Sequence, residues 1–140
     1  IGLSLAAVFL LLTVLGAWFA STRPVAAIDQ TKLENYQKSL RSYTAESQLL
    51  ANQAKDQRTL SDYQKVSAEK LYFAASDVAE KLQTEPPDAG LSQQVGQTAD
   101  QAADLTDTLS RLSGSPDEDE LDDILSSLSD IRSELDWGGS

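Results

Sequence analysis

Leu91-Ser-Gln-Gln-Val95-Gly-Gln-Thr98-Ala-Asp-Gln-Ala102-Ala-Asp-Leu105-Thr-Asp-Thr-Leu109-Ser-Arg-Leu112 decides how this chain folds. Leu91, Val95, Thr98, Ala102, Leu105, Leu109 and Leu112 follow one another at steps of four and three, the spacing that gathers side chains on one stripe of an α-helix. The small members Thr98 and Ala102 sit mid-stripe, where a neighbouring helix can approach closely. A helix with one narrow apolar stripe must bury it against other helices. The flanking segments supply them.

Upstream, Thr84-Glu85-Pro86-Pro87-Asp88 is a boundary: paired prolines stop a preceding helix, and Asp88 is expected to cap the next. Downstream, Gly114 falls where a left-handed C-terminal cap is wanted. Ser115-Pro116-Asp117-Glu118 then reads as a Ser N-cap, a Pro at the first helical position and a Glu three residues after the cap. The last helix carries Leu121, Ile124, Leu128, Ile131 and Leu135 on one face, with Leu125 beside it.

The stretch from about Asp29 to Leu82 has helical patterning without Gly or Pro. Its start is marked by Asp29 or by the capping box Thr31-Lys32-Leu33-Glu34. Leu33, Tyr36, Leu40, Tyr43, Leu50 and Ala54 make a first stripe that Ser47 interrupts. Leu60 and Tyr63 lead into a second, shifted stripe of Leu71, Ala75, Val78 and Leu82. The shift predicts a break between Asp56 and Asp62, with Thr59 or Ser61 as caps. An unbroken helix would be a rod of about 80 Å.

Residues 1–20 (IGLSLAAVFLLLTVLGAWFA) carry no charge and no proline. Twenty such residues span about 30 Å as a helix, the thickness of a bilayer's hydrocarbon core, so they predict a transmembrane anchor. Trp18 and Phe19 followed by Arg23 have the order of an interfacial belt. Thr13, Gly16, Ala17 and Ala20 form a small-residue patch suited to a neighbouring membrane helix. Cleavage as a secretory signal near Ala27 is the rival reading, disfavoured because the apolar run exceeds the usual 7–15 residues. The chain contains no Met and is read as continuing upstream. Arg23 and Lys32 argue for a cytoplasmic C-terminal side, whereas a long acidic domain behind one span is most simply made by export. The working expectation is a domain outside the cytoplasm.

The expected organisation is therefore all-α: an anchor at 1–20, a connector at 21–28, an acidic bundle of three or four antiparallel helices at 29–136, and a flexible tail at 137–140. The expected helices cover about 29–57, 60–83, 88–113 and 116–136.

Composition restricts function. The chain has no Cys and no His, which removes thiolate nucleophiles, imidazole bases, Ser-His-Asp triads and the usual ligands of zinc, copper and iron. Gly90 and Gly96 are isolated, so there is no phosphate loop. Asp117, Glu118, Asp119, Glu120, Asp122 and Asp123 lack the alternation and central Gly of an EF-hand. They read as acidic residues stabilising a helix start. Asp100, Asp104 and Asp107 read as a solvated helix face. No enzyme, cofactor or metal is expected.

Net charge is -11, unevenly placed: from Glu85 onward there are fourteen acidic residues against two basic ones, while the preceding part is near balance. Such a chain repels nucleic acid and fits partners with basic surfaces. Tyr36 and Tyr43 belong to the core stripe. Tyr72 and Phe73 are neighbours that cannot both face one core, so one of them is an exposed contact residue. Partner contacts are expected at Tyr72, Phe73, Asp117, Glu118, Asp119, Glu120 and Trp137. The functional expectation is a non-catalytic single-pass accessory subunit of a larger membrane complex, bound to other membrane subunits and to the bilayer. The alternative is a membrane-anchored ligand-binding or sensory bundle.

Overall fold

In the computed structural model, which describes residues 27–57 and 61–137, the chain forms four helices and no strand among those residues. They are α1 (Gln30–Lys55), α2 (Ser61–Thr84), α3 (Ser92–Ser113) and α4 (Glu118–Trp137). Short connections make successive helices antiparallel neighbours. α1 packs against α2 and α4, and α3 packs against α2 and α4. α1 and α3 also touch across the diagonal, whereas α2 and α4 occupy opposite corners without contact. The anchor expected at 1–20, with Thr13, Gly16, Ala17, Ala20, Trp18, Phe19 and Arg23, lies outside the described residues. No helix among the described residues is long and apolar enough to cross a membrane.

The stripes of α3 and α4 form the core as their spacing dictates. Val95, Thr98, Ala102, Leu105, Leu109 and Leu112 are buried on α3, with Leu91 half-buried, and Leu121, Ile124, Leu128, Ile131 and Leu135 are buried on α4. A fully buried Leu or Ile stabilises by about 1.5–3 kcal/mol, so these two helices supply much of the adhesive energy. α1 contributes Leu33, Leu40, Leu50 and Ala51, with Tyr36 and Tyr43 half-buried against them.

Ser47 does not interrupt the α1 stripe. It is fully buried, and its hydroxyl donates to the Tyr43 carbonyl at 2.6 Å, as Thr44 donates to Leu40 at 2.7 Å. A small hydroxyl that returns its proton to the preceding turn can enter a core without leaving a polar group unsatisfied.

The break between α1 and α2 is present. Gln57 turns to φ 54, a left-handed conformation that α-helix cannot continue. Tyr63 departs from expectation: it is exposed, and the buried residues of α2 are Ala68, Ala75, Val78, Ala79 and Leu82. At about 100° per residue, Tyr63 lies some 140° from Ala68, on the other side of the helix. Leu60 lies outside the described residues.

Caps differ in detail. Asp29 starts α1, accepting from the Lys32 backbone at 2.7 Å, while Thr31 and Glu34 are already helical. Asp88 does not cap α3, which begins at Ser92. Its carbonyl instead accepts from Leu91 N–H, closing the turn through Gly90 (φ 88). At α4 the cap is Asp117, whose carboxylate accepts from Glu120 N–H at 2.9 Å, so neither Ser115 nor Pro116 holds the expected place. A carboxylate satisfies the free N–H and complements the helix dipole together, which a Ser hydroxyl does less well. The left-handed residue after α3 is Ser115 (φ 57), not Gly114 (φ -84).

The last residue of the expected connector is docked on the domain. Ile28 is fully buried, its N–H donates to the Pro86 carbonyl at 2.8 Å, and its carbonyl accepts from Asp88 N–H at 3.0 Å. This parallel bridge fastens the chain's entry to the loop between α2 and α3. At the other end, Trp137 belongs to the last turn of α4 and not to a tail. Residues 138–140 lie outside the described residues.

Candidate functional site

Three kinds of surface emerge, and each follows from what the helices leave unburied. The first is the outward face of α2. Tyr63, Val66 and Phe73 are 61%, 50% and 68% exposed, and Leu49 on α1 is exposed beside them. Between α1 and α2 runs an open groove of about 430 Å³, with Leu49, Tyr63, Leu71 and Lys70 along it. Tyr72 is half-buried and meets Phe73 edge to face, with centroids 5.5 Å apart and planes at 75°. Of the adjacent aromatic pair, Phe73 is thus the exposed member. Tyr72 turns toward the shallow groove between α2 and α3, beside Ala79 and Thr106.

The second surface is acidic. Glu118, Asp119 and Glu120 are exposed in the first turn of α4, at the end of the bundle where α1 and α3 finish. Asp117 is engaged in capping, and Asp122 pairs with Lys55 across to α1. Along the seam of α1 and α4, Arg132 donates to Gln48 at 3.0 Å and Arg41 donates to the Leu135 carbonyl at 2.8 Å. The second of these satisfies a carbonyl at a helix end, where a cation is also favoured by the dipole.

The third surface lies at the opposite end, where Trp137 is 83% exposed beside a groove bounded by Gln97, Asp100 and Ser133. Here the entry at Ile28 and the prolines meet a polar cluster: Tyr36 Oη donates to Glu85 Oε1 at 3.0 Å, and Lys32 forms an ion pair with the same carboxylate. The bond to Glu85 raises the Lys32 pKa. Burial, then the bond to Glu85, pushes that of Tyr36 up.

No family model matches this chain, and no curated protein or solved structure matches it either. Its function has to be argued from these surfaces. Among the described residues no group of three or more acidic side chains is placed to hold a metal ion. The grooves lie open between helices, and Lys32, Tyr36 and Glu85 satisfy one another.

Of the residues expected to contact partners, Phe73, Glu118, Asp119, Glu120 and Trp137 are exposed, and they fall at separate places on the bundle. Tyr63, Val66 and Leu49 join Phe73 on one face, and the sequence reading assigned none of them there. Their signal was present in the spacing 63, 66, 70, 73, a second three-four stripe on α2 rotated away from the first.

Proposed function

We propose that this chain is a non-catalytic, single-pass membrane accessory subunit: residues 1–20 anchor it, and the four-helix domain docks on a larger membrane complex outside the cytoplasm. The observation that carries this reading is the division of the domain's charge between its helix pairs. Residues 27–84, which hold α1 and α2, have eight acidic and eight basic residues, whereas the part from Glu85 onward has fourteen acidic residues and two basic ones. A half-molecule charged to about -12 selects partners with basic surfaces and speeds their encounter.

The placement of the termini agrees with an anchored domain. Ile28, the α2–α3 loop and the end of α4 all lie at one end, so an anchor preceding Ile28 would leave the acidic start of α4 pointing away from the bilayer.

The test is an inventory by mass spectrometry of what remains bound when the protein is extracted from its native membrane in mild detergent. Stoichiometric partner subunits are expected, and reversing Asp119, Asp123 and Asp130 to Lys should release them. Recovery of the protein with no other subunit would overturn the reading.

A further inference from the structure

α2 is amphipathic twice. Its inner stripe, Ala68, Ala75, Val78, Ala79 and Leu82, is consumed by the core. Its outer stripe, Tyr63, Val66, Lys70 and Phe73, runs at steps of three, four and three, the spacing of the a and d positions of a coiled coil. Nothing in the described chain covers it, because α2 meets α1 and α3 and has α4 at the far corner. Ser67 and Ala74 flank the stripe on one side and Ser76 on the other, small enough for a second helix to come close.

We propose that this face docks a second copy of the chain, with the two α2 helices packed parallel about a two-fold axis. The stripe gives way to charge at the next positions, Asp77 and Glu80, so the pairing is confined to the turns from Tyr63 to Phe73, where the two Lys70 side chains approach across the axis and a flanking carboxylate offsets each of them. With Tyr63 and Lys70 at a and Val66 and Phe73 at d, Glu69 takes the g position that faces the other copy's a residue. Each Lys70 then meets the Glu69 of the second copy, and the two-fold repeats the pair. Both side chains are exposed, and among the described residues neither forms an ion pair within its own chain. The overall charge distribution agrees: pairing through balanced α2 keeps the two acidic halves apart, with both α4 corners outward.

The parallel sense rests on the membrane-anchor reading, since it alone puts both Ile28 entries at the same end. A single helix pair with Leu49 beside it falls below the roughly 1,200 Å² of a standard interface, so association depends on the raised local concentration of two tethered chains.

Residues 1–140 contain no Cys, so an introduced one is the only thiol within them. Val66→Cys, Phe73→Cys and the α4 control Ser129→Cys should be oxidised separately in native membranes. The first two are expected to give a disulfide-linked species of twice the chain mass, at about tenfold the yield of the control. In the Val66→Cys background, Glu69→Lys or Lys70→Glu should lower that yield, and the two together should restore it.

Monomer at Val66→Cys and Phe73→Cys, or a yield equal to that of Ser129→Cys, overturns the proposal. Cross-linking of Val66→Cys to a different protein also overturns it while leaving the accessory reading in place. Self-cross-linking in a preparation that retains no other subunit sustains the paired α2 face and removes the docking reading instead.

Discussion

Gln37 on α1 and Thr98 on α3 are hydrogen-bonded across the diagonal of the bundle, the amide donating to the hydroxyl at 3.3 Å. Both are buried. Thr98 in turn donates to the Gln94 carbonyl at 2.8 Å, so its hydroxyl has a second partner while the amide depends on Thr98. The consequence is an asymmetry between the two residues.

Thr98→Val conserves shape and strands a buried amide, which should cost about 1–2 kcal/mol. Gln37→Leu removes the amide itself and leaves Thr98 satisfied, so its cost should be less than about 1 kcal/mol. In the Gln37→Leu background, Thr98→Val should then cost little, giving a coupling of about 1 kcal/mol. Urea titrations of the four proteins check this. Additive effects would show that the bond contributes nothing.

The turn between α3 and α4 has its glycine one residue early. Ser115 bears the left-handed strain at φ 57, while Gly114 at φ -84 makes no use of its freedom. A methyl group at Gly114 would meet the Arg111 carbonyl at 3.4 Å, an ordinary contact. Exchanging the roles with Gly114→Ala and Ser115→Gly should therefore stabilise the domain by about 1 kcal/mol. A higher melting temperature is the expected result, and an unchanged or lower one contradicts the account of the turn.

High pH should loosen the domain through its raised groups. A hydrogen bond to Glu85 raises the Lys32 pKa, bonds to Asp122 and Asp77 raise those of Lys55 and Lys81, and burial first raises that of Tyr36. Each group holds its proton more tightly folded than unfolded. Its contribution is fully present below the unfolded value of about 10 and is lost as pH rises through the folded one. Melting temperature should begin to fall near about pH 10 and go on falling above it. The fall should be smaller in Glu85→Gln, which removes the partner of Lys32 and Tyr36. An equal fall in both proteins would remove Glu85 from the explanation.

How far the sequence foretold this bundle depends on the distance over which each decision is made. Leu91 to Leu112 and Leu121 to Leu135 declare their buried faces through period alone, because a stripe constrains every third or fourth residue at once. Ser47 and Tyr63 were misplaced because polarity and aromaticity are weak guides where one hydroxyl can bond its own backbone and one ring can be left outside. The union of Ile28 with Pro86 and Asp88 has no local signature, being a backbone pairing between segments more than fifty residues apart. The exposed α2 face was legible in principle. A helix with two stripes conceals the second behind the first, and which of them the core takes is settled by the alanines at 68, 75 and 79, small enough to let α1 and α3 close on that side.

The bridge at Ile28 also decides how the domain meets a mechanical load. A tug arriving from residues 21–27 does not begin by peeling α1 from its neighbours. It reaches Ile28, whose two backbone bonds divide the pull between the start of α1 and the corner joining α2 to α3. Three of the four helices are loaded together at one point. A pull arriving through the chain before Ile28 would therefore load the domain as a unit, and the first bonds it would strain are the pair that joins Ile28 to Pro86 and Asp88.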